Sequence, residues 1–185
     1  MFPRLFTGER LRLAAPRPED AEILAVWSQD ADYMRMLDDD PIAPQSPADV
    51  NMGSTLEANS AYFHIRTLDT DQLIGFVALF NIKWRNQTAE MAIGIGDASQ
   101  RGKGYGREAL HLLLGFVFHE LGLYRVGLTV MDYNTEAIRA YERVGFVREG
   151  VERGAVWRAG ARHDLVCYGI LRDEWLGRAS SEDRA

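Results

Sequence analysis

Apolar residues along this chain change period several times, and each change marks an element. Glu9-Arg-Leu-Arg-Leu-Ala14 alternates, which predicts a first strand, and Pro16-Arg-Pro-Glu-Asp20 opens a helix running through Trp27. Asp38-Asp-Asp-Pro-Ile-Ala-Pro44 has no period and reads as an acidic loop; Ser46-Pro-Ala-Asp49 then offers the cap and first-turn proline of a second helix. Residues 61–66 and 72–82 read as strands joined by the turn Leu68-Asp-Thr-Asp71, and Trp84-Arg-Asn-Gln87 turns into another strand over 88–96. Connections this short describe an antiparallel meander. A helix over about 105–120, ending near Gly122, separates strand 88–96 from strand 124–130, so those two should run parallel through a right-handed crossover. Residues 146–171 give two long strands around a turn near Arg158-Ala-Gly160, and 177–185 read as a frayed tail. The expectation is one α/β (α+β) domain over 1–176 with a flexible tail over 177–185.

The stretch between strand 88–96 and its helix carries the chemistry. Glycines at 102, 104 and 106 are expected to take positive φ and expose their N–H groups. A helix beginning near Tyr105 would aim its unpaired N–H groups and positive dipole end at the same point, which is an anion site in outline. Arg101 and Lys103 add positive charge there. Spacing narrows the choice of motif. A dinucleotide fingerprint counted from Gly102 would need glycine at 107, where Arg107 stands, and a Walker A loop would need Ser or Thr after Lys103, where Gly104 stands. A second punctuated segment follows about thirty residues later. In Asn134-Thr-Glu-Ala-Ile-Arg-Ala-Tyr-Glu-Arg-Val-Gly-Phe146, Asn134 can cap a helix, Ala137, Ile138, Tyr141 and Val144 fall at helical spacing, and Gly145 sits where a helix ends.

Arg101-x-x-Gly104-x-Gly106 resembles the R/Q-x-x-G-x-G/A pyrophosphate loop of the GNAT superfamily of N-acetyltransferases. Asn134-x-x-Ala137-x-x-x-Tyr141-x-x-x-Gly145-Phe146 resembles that family's second signature. The resemblance covers roughly residues 8–172. Within the superfamily, Glu9-Arg-Leu-Arg-Leu, Ile74-Gly-Phe and the two motifs look most like the branch of ribosomal-protein N-terminal acetyltransferases and spermidine acetyltransferases. It implies a mixed, mostly antiparallel twisted sheet with helices on both faces, whose one parallel pair, 88–96 and 124–130, splays apart to receive the pantetheine arm of acetyl-CoA. Backbone groups at Ile93, Gly94 and Ile95 would pair with that arm. The pyrophosphate would sit on Arg101, Gly102, Lys103, Gly104, Tyr105 and Gly106, with Arg107, Asn134 and Ala137 in reach.

The implied reaction is attack of an amine on a thioester, with acetyl-CoA as acyl donor. The amine must be neutral, and a lysine-like amine is so in fewer than about one molecule in a thousand at pH 7, against about a tenth for an α-amine. A base therefore helps the former most, and Glu90 on strand 88–96 is the candidate, directly or through water; as an outward strand position it would be merely polar. Tyr141 matches the family's tyrosine beside the thioester sulfur, where it would stabilise the leaving thiolate. A phenol near pKa 10 protonates a thiolate whose acid is near 8.5 only uphill, by about 2 kcal/mol, so hydrogen bonding is easier to defend than complete proton transfer. In similar proteins the first inter-helix region lines the acceptor side, making Asp38, Asp39 and Asp40 candidates for drawing in an amine; a solvated acidic turn would explain them equally. The acceptor would be a protein N-terminus, a polyamine or another small amine. The alternative function is a non-catalytic acyl-CoA-binding sensor or scaffold.

Composition limits the remaining classes. The 185 residues, 46% of them hydrophobic, suffice for one core. The net charge of −6 argues against a nucleic-acid surface and is compatible with a cationic substrate. Cys167 alone cannot form an internal disulfide, the start Met1-Phe-Pro-Arg-Leu-Phe is too short for a secretory apolar region, and the apolar run over 109–118 is too short for a membrane span. A cytoplasmic protein, with no membrane or nucleic-acid partner, is expected. His64, His111, His119 and His163 show no metal spacing, so no metal is expected. Strands near the C-terminus make a homodimer plausible.

Overall fold

The computed structural model describes residues 4–50 and 53–182, the side chains beyond 178 excepted. Its centre is a seven-stranded sheet in the order β1-β2-β3-β4-β5-β7-β6. These strands are β1 (Leu11–Ala14), β2 (Ala61–Thr67), β3 (Leu73–Lys83), β4 (Thr88–Ile95), β5 (Arg125–Met131), β6 (Val147–Arg158) and β7 (Ala161–Leu171). The expected meander is present: β1, β2, β3 and β4 pair antiparallel in succession. β4 and β5 form the one parallel pair, and β7 and β6 return antiparallel.

The helices are α1 (Asp20–Trp27), α2 (Ala31–Leu37), α3 (Tyr105–Gly115, continued by a π-helical turn Phe116–Glu120), α4 (Thr135–Val144) and α5 (Arg172–Glu182). The main core lies on one face of the sheet, where Leu110, Leu113 and Leu114 of α3 and Tyr141 and Val144 of α4 meet Phe63, Ile65, Val77, Met91, Val126 and Ile170. This follows from period-2 strands against period-3.6 helices: odd-numbered β2 and β4 residues face that core, and even-numbered ones face α1 and α2. Under α1, Asp20, His64 and Arg66 form a buried polar cluster, with Asp20 Oδ2 2.6 Å from His64 Nδ1 and Oδ1 bonded to Arg66.

Three expectations change. No helix starts at Ser46; its hydroxyl bonds Asp49 Oδ2 at 2.6 Å in an isolated turn, and residues 46–49 are exposed with no packing to extend that turn. The second helix is instead α2, upstream of the acidic loop, started by Asp30, which accepts from Asp32 N and Tyr33 N. Residues 177–182, expected as tail, continue α5 through Glu182, while 183–185 lie outside the described residues.

Candidate active site

The glycine loop is held open by a residue far away in sequence. Arg10 Nη1 donates to Lys103 O at 2.9 Å, its Nε meets Glu108 Oε2 at 3.0 Å, and its guanidinium lies 4.8 Å from the Tyr105 ring centroid. Burial alone would raise the Glu108 pKa, but the N–H of Arg10, its guanidinium and the N–H of Leu11 together hold it below the ordinary value, so the brace stays charged. With the Lys103 carbonyl drawn to Arg10, the N–H groups of Gly102, Lys103, Gly104, Tyr105 and Gly106 have no backbone acceptor among the described residues. Gly102 and Gly104 take φ of 72° and 84° as expected; Gly106 does not, because it is already the second residue of α3. Five free amides at the dipole end of α3 fit the fully ionised diphosphate of acetyl-CoA.

Arg101 behaves differently from its neighbours. Its Nε and Nη2 donate to Ile95 O and Gly96 O, both at 2.9 Å, and its guanidinium sits over the Tyr33 ring, 4.8 Å from the centroid. The side chain thus ties the end of β4 to the loop, and its N–H donates to Ala98 O. Lys103 Nζ rests 3.2 Å from Gln100 Oε1, and Arg107 is exposed on the cleft wall.

β4 and β5 pair only through Thr88–Arg125, Ala89–Val126 and Glu90–Gly127, and beyond that register they part. A cleft of about 1410 Å³ fills the opening, lined by Ile93, Gly94 and Ile95 on one side and Thr129, Val130 and Met131 on the other. Alternate backbone groups of β4 therefore face the gap without a strand partner, as an extended pantetheine arm requires. Gly94 is needed here, since a Cβ would lie 2.5 Å from Tyr33 Oη and 2.9 Å from Leu37 and Phe76. Burial pushes the Tyr33 phenol pKa up, and its hydroxyl has no hydrogen-bond partner among the described residues.

Tyr141 lines the same cleft at 7% exposure, its ring edge-on to Phe146 at 5.8 Å and tilted to Tyr168 at 6.5 Å. Burial pushes its pKa up to about 12, so the phenol is a neutral donor at any physiological pH. Ala137 lines the cleft one turn earlier; its N–H bonds the capping Asn134 Oδ1 at 3.2 Å, and Asn134 Nδ2 donates to Met36 O at 2.9 Å. The Asn134 amide is thus engaged at both ends.

Glu90 is exposed at the closed end of the splay, on the α2 face, opposite Phe80 of β3. Phe80 and Ala92 line the cleft beside it, whereas Glu90 stands at its margin. Asp38 and Asp39 line the cleft; Asp40 does not. Arg10, Tyr33, Arg139 and Arg143 also line this cleft and were not among the residues expected there. The two arginines lie four apart on the cleft side of α4, a pattern that helical spacing could have disclosed. Lining charge is mixed along α3 and α4, where Arg107, Arg139 and Arg143 stand with Glu108 and Glu136, and is acidic on and after α2, at Asp32, Asp38 and Asp39.

Residues 10–147 match the family model "Acetyltransferase (GNAT) domain". The chain belongs to the GNAT acetyltransferase family. It is 30% identical over 92% of its length to a prophage-derived, uncharacterized N-acetyltransferase, YokL, of Bacillus subtilis, covering 94% of that protein. It is 34% identical over 58% of its length to spermidine N(1)-acetyltransferase of Vibrio cholerae, covering 61% of it. The crystal structure of spermidine N-acetyltransferase from Vibrio cholerae in complex with CoA and spermine shares the fold, with a TM-score of 0.79 at 23% identity over 91% of this chain and 99% of that one. The activity is acetyl-CoA-dependent N-acetyl transfer. Acetyl-CoA is the acyl donor and supplies an activated thioester. Among the described residues no three His, Cys, Asp or Glu gather as metal donors, and no helix is long and apolar enough to cross a membrane.

Proposed function

We propose that this acetyltransferase acts on a primary amine carrying further positive charge, of the polyamine class, by direct attack on the thioester. The observation that carries the reading is one cleft that holds both the free amides of 102–106 and the carboxylates on and after α2, Asp32, Asp38 and Asp39. The Vibrio cholerae relative named for spermidine supports it.

In this reading the amides of Gly102 to Gly106 hold the diphosphate, and the free edge of β4 at Ile93 and Ile95 orients the arm. The N–H groups there would also meet negative charge developing on the carbonyl oxygen. Asp38 and Asp39 attract the acceptor's remote ammonium groups. Glu90, at the margin of the acceptor face, takes the proton of the attacking amine through a water, a route its exposure allows. Tyr141 donates a hydrogen bond to the departing thiolate. β6 is an edge strand with Val147, Val151 and Trp157 exposed, and pairing along it in a homodimer is the proposed assembly. The lone Cys167 fits a reducing compartment, so the cytoplasm is the proposed location.

Thiol release measured with acetyl-CoA against spermidine, a monoamine, a peptide N-terminus and an aminoglycoside tests the reading. Turnover with the highest kcat/KM for spermidine is expected. Coenzyme A binding with no transfer to any amine would instead favour a sensor or scaffold.

A further inference from the structure

The last carbonyls of a helix have no partner within it, and a seven-residue helix such as α2 has little stability of its own. In this chain the C-terminal carbonyls of α2 are satisfied from the opposite wall of the cleft. Tyr133 Oη donates to Arg35 O at 2.8 Å, and Asn134 Nδ2 to Met36 O at 2.9 Å. Arg158 Nη2 then donates to Asp38 O at 2.8 Å and to Asp40 O at 3.1 Å. Three side chains from the C-terminal half thus gather the backbone of 35–40, the segment that presents Asp38 and Asp39 to the cleft.

The donors are themselves fixed. Arg158 ends β6, where Ala159 and Gly160, with φ of 49° and 80°, make the two-residue turn into β7. Tyr133 packs edge-on against His163 at 4.8 Å and on a second, small apolar cluster of Met131, Val156 and Leu165. That cluster lies apart from the main core, at the outer end of the β6–β7 hairpin, where it supports both Tyr133 and the strand leading to Arg158.

We propose that Tyr133 and Arg158 are positioning residues for the acceptor: they clasp residues 35–40 and so hold the Asp38–Asp39 carboxylates where a polyamine binds. This rests on the amine-acceptor reading above. Neither residue touches the reacting atoms, and their effect falls on acceptor binding rather than on coenzyme A or the chemical step. The backbone carbonyls, and not the carboxylates, are the ligands of the clasp; Asp38 Oδ1 accepts from Asp40 N at 2.9 Å within the segment itself.

The test uses the full chain with Tyr133→Phe, Arg158→Met and the double substitution, each of which preserves side-chain bulk. Loss of one or two hydrogen bonds should raise KM for spermidine by about three- to tenfold in each single variant, and further in the double. The kcat and the calorimetric Kd for coenzyme A should stay within about twofold of the parent, since the diphosphate loop does not depend on the clasp. Hydrogen exchange followed by mass spectrometry should quicken in peptides covering 35–41, with exchange in α3 unchanged. Unchanged exchange at 35–41 in the double variant overturns the clasp. Faster exchange with an unchanged KM overturns its role toward the acceptor. If the parent acetylates no amine, the transferase reading fails on its own, and the exchange rates alone decide whether the clasp exists.

Discussion

Replacing Tyr141 by phenylalanine removes one oxygen from a packed site and leaves the ring contacts with Phe146 and Tyr168 in place. Its phenol pKa is pushed up to about 12 by burial, with no charged or hydrogen-bonding neighbour contributing. Against a thiol near 8.5, complete proton transfer would then be uphill by roughly 5 kcal/mol, more than twice the cost for an unperturbed phenol. The same burial that discourages transfer keeps the donor neutral and strengthens its hydrogen bond to a developing thiolate. A hydrogen bond to a charged group contributes about 1.5–3 kcal/mol, so Tyr141→Phe should lower kcat by roughly 10- to 150-fold. Coenzyme A affinity should change by less than about twofold, because the diphosphate amides carry the binding. Stopped-flow thiol release at saturating acetyl-CoA and acceptor, with calorimetry of coenzyme A, measures both quantities. A kcat within about twofold of the parent would remove the Tyr141 hydroxyl from the chemistry. A fall in affinity as large as the fall in kcat would make it a binding residue instead.

Other substitutions probe separate parts of the molecule. Gly104→Ala forces a side chain into φ of 84°, with its Cβ 3.3 Å from Arg10, and should weaken coenzyme A binding by about 5- to 30-fold by calorimetry, from about 1–2 kcal/mol of left-handed strain. Gly106→Ala, helical and 3.9 Å from Ile95, should bind within about twofold of the parent; equal losses at both sites would contradict this account of the loop. Arg66→Ala leaves Asp20 buried and short of its main partner, and should cost about 3–5 kcal/mol in urea unfolding, where a loss under about 1 kcal/mol would mean the cluster is dispensable.

The pH dependence of stability follows from the same cluster. Burial lowers the His64 pKa from 6.5 against the opposing bond to Asp20, so the unfolded chain takes up that proton first and stability falls as pH drops below about 6.5. Burial would raise Asp20, but Arg66, the Arg17 N–H and His64 outweigh it, so its contribution is lost only as pH falls below 3.8 through the lower folded value. His64→Gln should therefore flatten the melting temperature between pH 7.5 and 5.5 relative to the parent, and parallel curves would refute the assignment. Glu90→Gln should depress kcat/KM most at low pH, where fewer amines are neutral; a profile matching the parent's would reject Glu90 as base.

The sheet order, the parallel pair and the open glycine loop were legible because they rest on local rules: strand period, turn residues, a helix crossover, and glycine at positive φ. Gly106 was misread because its neighbours in the motif, rather than its own place one residue into α3, set the expectation. The helix α2 was missed because seven residues span less than two helical turns, and its C-terminal carbonyls are satisfied by residues about a hundred positions away. The direction of the Arg101 side chain was equally hidden, since Ile95 O, Gly96 O and the Tyr33 ring meet it only after the sheet and α2 have assembled. Sequence by itself thus determined most of the strands, the turns between them and the glycine loop that opens α3, because these rest on local backbone rules. Tertiary structure alone decided α2 and the placement of Arg101, Tyr33, Asp38 and Asp39, because side-chain positions there depend on what a distant hairpin and helix bring against them.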